Sequence, residues 1–410
     1  MNILTINHYA GSPRHGMEYR PFYLAREWKR SNHRVCIVAA SASHLRRVSP
    51  RVRGAASYEE INGISYLWVR TPGYKKNDWR RAANMFAFVF ALMTNTGRLA
   101  GLQPDVVIAS STYPLDNLPA FLIARKSRAK LIYEVHDLWP LSLIELGGMS
   151  RAHPFVLLMQ WAEGFACKNA DLVVSVLPNA DRHLVKRGMA PSKFCHIPNG
   201  IACEEWESAS ERLPEIHERA LNGLHGQGEF LLGYAGAHGI ANGLSTLVEA
   251  ASLLQSHKVV IVLVGQGPEK EKIQCLARQK GLTNMVFLPP VAKACIPRLL
   301  SKMDALYIGL KKSPLFRFGI SPNKLMDYMM AGKPIIEAIE ASNDMVAWAR
   351  CGISVPAENP SAVAQAIKDL MCLGEGQRIE MGLRGKRYLR AGNDYKVLAA
   401  KFIDYITRRF

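Results

Sequence analysis

A lysine and an aspartate at a predicted helix start offer the most specific chemistry in this chain. In the segment 319–335, Ser321 and Pro322 are predicted to form the cap and first turn of a short helix that a glycine ends. Lys324 and Asp327 are three residues apart, so they would lie on one helix face, one turn apart. Lys324 could neutralise a diphosphate and Asp327 could accept hydrogen bonds from ribose hydroxyls. The alternative for this pair is a surface ion pair.

Two glycine-rich loops directly follow predicted strands. The first contains Gly236, Gly239 and Gly243, and the second contains Gly265 and Gly267. Glycines let a ligand approach the backbone and expose amide donors at the start of the next helix. Either loop alone is equally consistent with a tight turn that binds nothing.

A histidine and an aspartate end another predicted strand. His136 and Asp137 follow the run 129–135, and Glu134 lies just before them. At a strand end that faces a cleft, such a pair could orient an acceptor hydroxyl or accept its proton. Asp137 is the residue that we expect nearest this hydroxyl, and strand alternation places Glu134 on the opposite face of the sheet. A buried, hydrogen-bonded pair without a reaction is the other interpretation.

These residues belong to two series in which short apolar strands alternate with helices, and this alternation predicts parallel sheets covered on both faces. The first series has predicted strands at 2–7, 34–40, 64–69, 105–109, 129–135 and 171–177, with helices at 19–29 and 155–168. The second series has predicted strands at 230–235, 259–264, 285–288, 305–308 and 334–338, with helices at 244–255, 269–280 and 324–330. A polar, helix-like stretch at 204–222 separates the two series. At 410 residues, the chain is long enough for two domains.

The order and spacing of several blocks resemble glycosyltransferase family 4, whose architecture is the GT-B fold. The last block is similar to that of the bacterial N-acetyl-L-fucosaminyl transferase branch, which works in O-antigen or capsule assembly. The blocks that carry the resemblance are Gly11 and Gly16 after the first strand, Leu24-Ala25, 136–140, 198–200, Gly236 to Gly243, 265–268, and Ser321-Pro322-Asn323-Lys324 with 331–334.

The resemblance implies an α/β fold of two Rossmann-like, doubly wound parallel-sheet domains that face a cleft. It divides the chain into an acceptor-binding domain at 1–203, a nucleotide-sugar-binding domain at 204–390 and a C-terminal helix at 391–410 that crosses back to the first domain. The implied enzyme is a retaining, metal-independent glycosyltransferase of the hexosyltransferase class. Its donor would be a UDP-linked sugar, with an N-acetylated sugar among the candidates, and its acceptor a lipid-linked or saccharide molecule in surface polysaccharide biosynthesis.

The resemblance also implies roles for individual residues. Catalytic roles would fall to Asp137, His136 and Lys324, with Gly11, Gly16 and Glu134 on the acceptor side. The implied donor-binding residues are Gly236, His238, Gly239, Asn242, Gly265, Gly267, Val291, Gly319, Ile320, Ser321, Pro322, Asn323 and Asp327.

Two departures from the family pattern affect the donor site. Family members often carry Gly-Arg-x4-Lys-Gly in the first loop of the second domain, and here Ala237 and Asn242 replace the two cations. Members also often have Glu-x7-Glu, and with Asp327 at the second position, Gly319 occupies the first. A diphosphate needs more positive charge than one helix terminus supplies, which is about half an elementary charge. Lys324 is therefore the expected counter-charge, supported by His238 and the amides at 319–321.

The net charge of +18 is concentrated in the first half of the chain. Residues 1–200 contain 26 Lys and Arg against 13 Asp and Glu, or +13, whereas residues 201–410 contain 26 against 21, or +5. Lys75, Lys76, Arg80 and Arg81 precede the apolar run 85–93, as in a helix that lies on an anionic membrane. A core helix with a basic leading end is the alternative interpretation.

Other classes of protein fit less well. The start of the chain lacks the features of a signal peptide and the apolar runs are too short to span a bilayer, so we expect a cytoplasmic enzyme that is peripheral on the inner face of the membrane. No Asp-x-Asp pair occurs, and the eight cysteines lack zinc-like spacing, so no metal or other cofactor is expected. A UDP-sugar 2-epimerase of the same architecture is the main alternative. A basic nucleic-acid-binding protein is less consistent, because no recognised nucleic-acid module is present.

Overall fold

The computed structural model describes residues 1–16, 19–44, 46–74, 79–209 and 211–409. They divide into two compact units. The first contains residues 1–199, 317–320 and 395–410, and the second contains residues 200–316 and 321–394.

Fourteen strands and seventeen α-helices form in the described residues. The strands are β1 (Asn2–Ile6), β2 (Arg34–Ala40), β3 (Ala56–Ile61), β4 (Ile64–Val69), β5 (Val106–Ala109), β6 (Lys130–Val135), β7 (Leu172–Ser175), β8 (Phe194–His196), β9 (Phe230–Ala235), β10 (Val259–Val264), β11 (Met285–Leu288), β12 (Ala305–Gly309), β13 (Ile335–Ala338) and β14 (Gly352–Val355). The helices are α1 (Arg20–Arg30), α2 (Trp79–Thr94), α3 (Thr96–Ala100), α4 (Asn117–Ser127), α5 (Leu141–Glu145), α6 (Pro154–Asn169), α7 (Asp181–Leu184), α8 (Cys203–Ser208), α9 (Glu215–Gly226), α10 (Ser245–Ser252), α11 (Lys270–Gln279), α12 (Ile296–Ser301), α13 (Asn323–Met330), α14 (Met345–Ala349), α15 (Pro360–Cys372), α16 (Glu375–Gly392) and α17 (Tyr395–Arg409).

The first unit is built on an eight-stranded sheet with the order β3-β4-β2-β1-β5-β6-β7-β8. All neighbouring strands run parallel except β3 and β4, which form an antiparallel hairpin at one edge. Strand β5 is apolar along its length and both β5 and β7 are completely buried, because helices cover both faces of the sheet. The chain leaves β1 toward β2 on one side and later returns to β5 on the other, so the carboxyl ends of β1 and β5 flank a crevice of the kind that binds ligands in such sheets.

The second unit is built on a six-stranded parallel sheet with the order β11-β10-β9-β12-β13-β14. Alternate residues of its strands enter two separate apolar clusters, one on each face: Leu231 lies in one and Leu232 in the other. This confirms the predicted doubly wound α/β fold. The corresponding crevice lies between β9 and β12, and the loops after these strands carry the donor-site candidates.

The C-terminal helix α17 packs within the first unit. Tyr395 stacks on Tyr23 of α1 with ring centres 4.9 Å apart, and Phe402 meets Trp28 edge-on at 5.2 Å. The indole nitrogen of Trp28 also donates to the carbonyl oxygen of Ala399 at 3.2 Å. The first unit is therefore completed by the last helix of the chain.

Some local expectations were wrong. The polar stretch predicted as one helix at 204–222 forms two, α8 and α9, with Pro214 immediately before the second. Helix α13 begins at Asn323, so Pro322 occupies the cap position and Ser321 lies outside the helix. Proline is compatible with this position because the first helical amides have no partner within the helix. Strands β3, β8 and β14 were not predicted.

Candidate active site

The second unit holds a lysine ammonium against an aromatic ring and gives it only neutral partners. Lys324 is in the first turn of α13, and its Nζ lies 4.0 Å from the centre of the Tyr234 ring. It donates to the Tyr234 hydroxyl at 2.6 Å and to Asn242 Oδ1 at 3.2 Å. Within the described part of the chain, no carboxylate oxygen lies within 4.0 Å of this nitrogen. Burial lowers the pKa of Lys324 to about 7, so this ammonium would gain from an anionic partner.

The glycines beside Lys324 are required by close packing of the two loops. Gly236 and Gly265 have φ values of +152° and +154°. A Cβ on Gly265 would lie 1.9 Å from the carbonyl oxygen of Gly236, and one on Gly267 would lie 2.5 Å from that of His238. A Cβ on Gly236 would lie 2.7 Å from Lys324 Cε. Glycine is needed at these positions because a side chain would force the two loops apart and displace the lysine.

His238 is a buried polar side chain without hydrogen-bonding partners at its ring nitrogens. Its side chain is inaccessible to solvent, and neither Nδ1 nor Nε2 is hydrogen-bonded. Burial, with the nearby charges of Lys270 and Lys324, lowers the pKa of His238 to about 4, so the ring is neutral at pH 7. Because buried polar groups nearly always have a partner, His238 has the capacity to bind a group that enters this loop.

Asp327 lies one turn after Lys324 on α13. It is partly exposed, and burial raises its pKa to about 6, while the charge of Lys293 acts in the opposite direction.

The predicted donor-binding residues fall into two groups in the structure. The residues that lie together are Lys324, Asn242, Gly236, His238 and the two glycines of the second loop. Gly239 begins the turn before α10, and Val291 packs against the apolar cluster on that face of the sheet. The remaining donor candidates separate: Ser321, Pro322 and Asn323 belong to the second unit, whereas Gly319 and Ile320 are counted with the first.

In the first unit, Glu134 is the centre of a buried ionic network. Arg20 Nε donates to Glu134 Oε1 at 3.0 Å, and both side chains are only 3% exposed. Ser110 Oγ donates to Glu134 Oε2 at 2.5 Å and lies 2.9 Å from His136 Nε2. Burial alone would raise the pKa of Glu134, but Arg20 and then His136 and Ser110 outweigh it and hold this pKa well below its usual range. Glu134 is therefore an ionised structural carboxylate that positions His136.

Asp137 lies two residues beyond the end of β6, and its carboxylate has different partners from that of Glu134. It accepts from the amide of Leu138 at 2.8 Å, and burial raises the pKa of its carboxyl. Asp116, fully buried in the turn between β5 and α4, accepts from the amide of Ser111 at 3.1 Å, and burial raises its pKa to about 7. A carboxyl with a raised pKa at the carboxyl edge of a sheet is suited to proton transfer.

The loop after β1 is held firmly. Ser12 and Gly16 form a short antiparallel bridge, and Gly16 has a φ of +100° that favours glycine. The hydroxyl of Tyr66 donates to the carbonyl oxygen of Gly11 at 2.8 Å. The backbone of Gly11 and Gly16 is thus fixed at the carboxyl edge of the first sheet, close to the end of β1.

Four residues of these sites were missed in the sequence. Tyr234 lies within a continuous apolar strand, where nothing marks it as a lysine partner. Arg20 and Glu134 are 114 positions apart, so their pairing is visible only in the fold. Ser110 could have been found, because it directly follows a predicted strand whose carboxyl end borders the crevice, and Asp116 lies in the loop after the same strand.

The match to family models identifies the class of this protein. Residues 15–200 match the glycosyl transferase 4-like domain, and residues 229–372 match the glycosyl transferases group 1 domain. Together with the two parallel-sheet units, these matches define a glycosyltransferase of the GT-B fold. The chain belongs to glycosyltransferase family 4.

Solved structures with the same fold cover almost the whole chain. Sucrose-phosphate synthase from Thermosynechococcus elongatus has a TM-score of 0.73 at 16% identity, with 100% of this chain and 98% of that chain covered. HepE of Anabaena, solved with UDP and glucose, has a TM-score of 0.67 at 14% identity, with 99% of both chains covered.

The chain also has a relative by sequence, WcaI of Escherichia coli (strain K12), which is described as a putative colanic acid biosynthesis glycosyl transferase. The two are 22% identical over 306 residues, which span 70% of this chain and 71% of that protein.

Helix α2 has a second apolar face besides the one in the core. Met85 and Phe88 are buried, while Trp79, Phe86 and Phe90 are 72%, 42% and 71% exposed. Of the basic residues predicted to face a membrane, Lys75 and Lys76 lie outside the described residues. No helix in the described ranges is long and apolar enough to cross a membrane.

Proposed function

We propose that this protein is a retaining, metal-independent glycosyltransferase that moves a sugar from a UDP-linked donor to a lipid-linked or saccharide acceptor in surface polysaccharide biosynthesis. An N-acetylated sugar is one candidate for the transferred group. The observation that carries the donor assignment is Lys324, a half-buried ammonium with neutral partners beside two glycine loops. A nucleotide diphosphate supplies the anion that this site lacks. The ribose hydroxyls would donate to Asp327, one helical turn away.

The comparisons support this proposal at the level of chemistry. Structures of the same fold have been solved with UDP and with UDP-glucose, and the relative from Escherichia coli is described as acting in colanic acid biosynthesis. The site provides its own positive charge through Lys324 and a short helix start. Such groups can stabilise a leaving diphosphate without a divalent metal.

Removing the Asp327 carboxylate is expected to weaken UDP binding by about 1.5–3 kcal/mol, the range for a hydrogen bond to a charged group. Isothermal titration calorimetry of Asp327→Ala with UDP would measure this loss. Asp369→Ala is a matched control, because Asp369 is an exposed carboxylate of the same unit that accepts from Gln365 Nε2 at 2.8 Å. Equal UDP affinity in the parent and in Asp327→Ala would contradict the ribose assignment.

We assign the acceptor to the first unit, with Asp137 nearest the reacting hydroxyl. Its raised pKa favours proton exchange with an alcohol, and His136 is fixed beside it by Ser110 and Glu134.

Two assays separate this function from its alternatives. A UDP-sugar 2-epimerase would convert UDP-sugars without any acceptor, so an assay without acceptor distinguishes it from a transferase. A gel-shift assay at moderate salt would test the nucleic-acid alternative. That alternative gives Lys324 and its neighbouring glycine loops no role.

We further propose that the enzyme is cytoplasmic and binds the inner face of the membrane through α2. The stretch 79–104 contains no Asp or Glu, and its cations are Arg80, Arg98 and Arg81, the last of which lies against the Tyr9 and Trp139 rings. Its exposed rings occur at positions 79, 86 and 90, which is the spacing of one helix face. An apolar face bordered by cations is suited to an anionic membrane surface.

Replacing the three exposed rings by serine, in Trp79→Ser/Phe86→Ser/Phe90→Ser, is expected to abolish sedimentation with vesicles that contain anionic lipid, because the buried apolar area is lost. Trp348→Ser, on an equally exposed tryptophan of the second unit, should leave sedimentation unchanged. Higher salt should also weaken binding of the parent, since exposed charges are screened over about 10 Å at 0.1 M. Vesicle binding that survives the triple substitution would exclude this face of α2.

A further inference from the structure

A second lysine ammonium lies beside the glycine loops of the second unit, at the start of α11. Lys270 is the first residue of this helix and is half-buried. Its Nζ turns back onto the second glycine loop, where it donates to the carbonyl oxygen of Gly265 at 3.0 Å and to Gln266 Oε1 at 3.3 Å. Among the described residues, no carboxylate oxygen lies within 4.0 Å of this nitrogen. Lys270 is therefore an ammonium with neutral partners, as Lys324 is.

The carboxylate that is nearest to Lys270 in sequence has another partner. Glu269 Oε2 lies 3.4 Å from the Nζ of Lys272, whose side chain is 76% exposed. The two lysines at the start of α11 therefore differ in their surroundings. Lys272 is solvated and paired with an acid, whereas Lys270 is directed at the loop.

The two ammonium groups with neutral partners lie at one contact between the glycine loops. A Cβ on Gly236 would lie 3.1 Å from Lys324 Nζ, and a Cβ on Gly265 would lie 1.9 Å from the carbonyl oxygen of Gly236. The ammonium of Lys270 is hydrogen-bonded to Gly265 itself. The contact between the loops thus has one cation at Gly236 and another at Gly265.

The imidazole of His238 lies at the same contact. Its Nε2 would be 3.2 Å from a Cβ on Gly265, and both of its ring nitrogens are buried without a hydrogen-bonding partner. Burial, and then the charges of Lys270 and Lys324 in that order, lowers the pKa of this ring. A neutral imidazole has one N–H donor, and buried donors nearly always have an acceptor. The contact therefore combines two cations with an unsatisfied donor.

The backbone holds the second glycine loop in place without help from the Lys270 side chain. The amide of His238 donates to the carbonyl oxygen of Gln266 at 2.9 Å, and the amide of Glu269 donates to the carbonyl oxygen of His238 at 3.0 Å. These bonds tie the second loop to the first. A role as a loop staple therefore does not account for the position of the Lys270 ammonium.

We infer that Lys270 is the second cation that binds the donor diphosphate, beside Lys324 and His238. This inference rests on the proposed function, which supplies the diphosphate as the ligand. Each phosphate of a nucleotide sugar carries a negative charge, and Lys324 alone balances one of them. The first loop has Ala237 and Asn242 where the family pattern has two cations. Lys270 restores one of these charges from the second loop.

The test measures ligand binding by calorimetry to the full chain and its variants. The probes are UDP, UMP, uridine and inorganic pyrophosphate, titrated into the parent, Lys270→Met and Lys272→Met. We expect Lys270→Met to lose about tenfold or more in UDP affinity, because a hydrogen bond to a charged group is lost. Its affinity for uridine, which has no phosphate, should equal that of the parent. Lys272→Met is the matched control, since it removes an exposed lysine from the start of the same helix.

The set of probes separates a contact with phosphate from a change in the shape of the site. A loss confined to UDP and pyrophosphate supports the inference and places Lys270 at the terminal phosphate. An equal loss for UMP also supports it and places Lys270 at the phosphate next to the ribose. An equal loss for uridine, or the same UDP affinity in Lys270→Met and Lys272→Met, would overturn the inference.

Two further measurements keep this result independent of folding and of the proposed function. The melting temperature reports the folding of each variant, and Lys270→Arg, which keeps the charge, should lose less UDP affinity than Lys270→Met. If both substitutions cost the same affinity, the site does not use this charge and the inference fails. If the parent binds no uridine compound, the proposed donor is wrong, while the pyrophosphate titration still measures the contribution of Lys270.

Discussion

Replacing Lys324 with methionine is expected to lower the turnover of sugar transfer by about 100-fold or more. The diphosphate gains negative charge as the glycosidic bond breaks, so a preorganised ammonium stabilises the transition state more than the bound donor. Methionine keeps most of the apolar volume that rests on the Tyr234 ring. The measurement is kcat with saturating donor, and Lys272→Met, a 76% exposed lysine of the same unit, is the control.

The low pKa of Lys324 adds a pH signature to this prediction. With a pKa of about 7, the free site is largely charged below pH 7 and largely neutral above it. A nucleotide sugar binds the ammonium, so binding above pH 7 must take a proton from solution, at about 1.4 kcal/mol per pH unit. The Kd for the nucleotide sugar should therefore rise up to about tenfold per unit above pH 7, until the pKa of the complex is reached.

Lys324→Met should lack this pH dependence, because it has no proton to take up. Calorimetry in two buffers of different ionisation enthalpy would count the proton directly. Unchanged turnover, or a pH dependence that persists in Lys324→Met, would return Lys324 to the role of a structural lysine on the Tyr234 ring.

Glu134→Gln is expected to destabilise the first unit by about 3–5 kcal/mol, since it leaves the Arg20 guanidinium buried without its partner. Arg20 would keep its bonds to the carbonyl oxygens of Ile197 and Pro198, but these carry no net charge. Chemical denaturation, followed by a probe in the first unit, would measure the shift. The control is Asp404→Asn in α17, whose exposed pair with Arg408 is worth below about 1 kcal/mol.

The same carboxylate predicts how stability depends on pH. Because the folded pKa of Glu134 is depressed, its contribution is present above the unfolded value of about 4.3 and is lost as the pH falls toward the folded value. The parent should therefore lose stability on acidification more steeply than Glu134→Gln. Parallel curves for the two proteins would show that Glu134 is not ionised in the folded state.

The fold was accessible from sequence where strands are continuous apolar runs. The strand Phe230–Ala235 has the predicted bounds because burial on both faces leaves no polar interruption. The strand Arg34–Ala40 also has the predicted bounds, and its last four residues are buried. Strand Ala56–Ile61 was missed because it is a half-exposed edge strand with two glutamates. Strand Phe194–His196 is too short for periodicity to reveal it.

The candidate site was only partly accessible for a different reason. Sequence motifs indicate which loops carry chemistry, so Lys324 and His136 could be named. Their partners Tyr234 and Ser110 come from other strands, and only the strand order brings them near. Arg81 was predicted to belong to a membrane-facing basic cluster, although its guanidinium carbon lies 5.7 Å from the centre of the Tyr9 ring and 5.8 Å from that of Trp139. Sequence spacing does not distinguish a cation that lies against rings from one in solvent.

The position of α17 has a consequence for how the chain is made. The hydrogen bond from the Trp28 indole of α1 to the carbonyl oxygen of Ala399 joins residues 371 positions apart. The first unit therefore cannot be completed while the ribosome is still synthesising the second. Until then, the face of α1 that receives Tyr395 and Phe402 is open to water and to other nascent chains. Such contacts between distant parts of a chain form late and slowly. Newly made protein would therefore depend on chaperones for its first half longer than for its second.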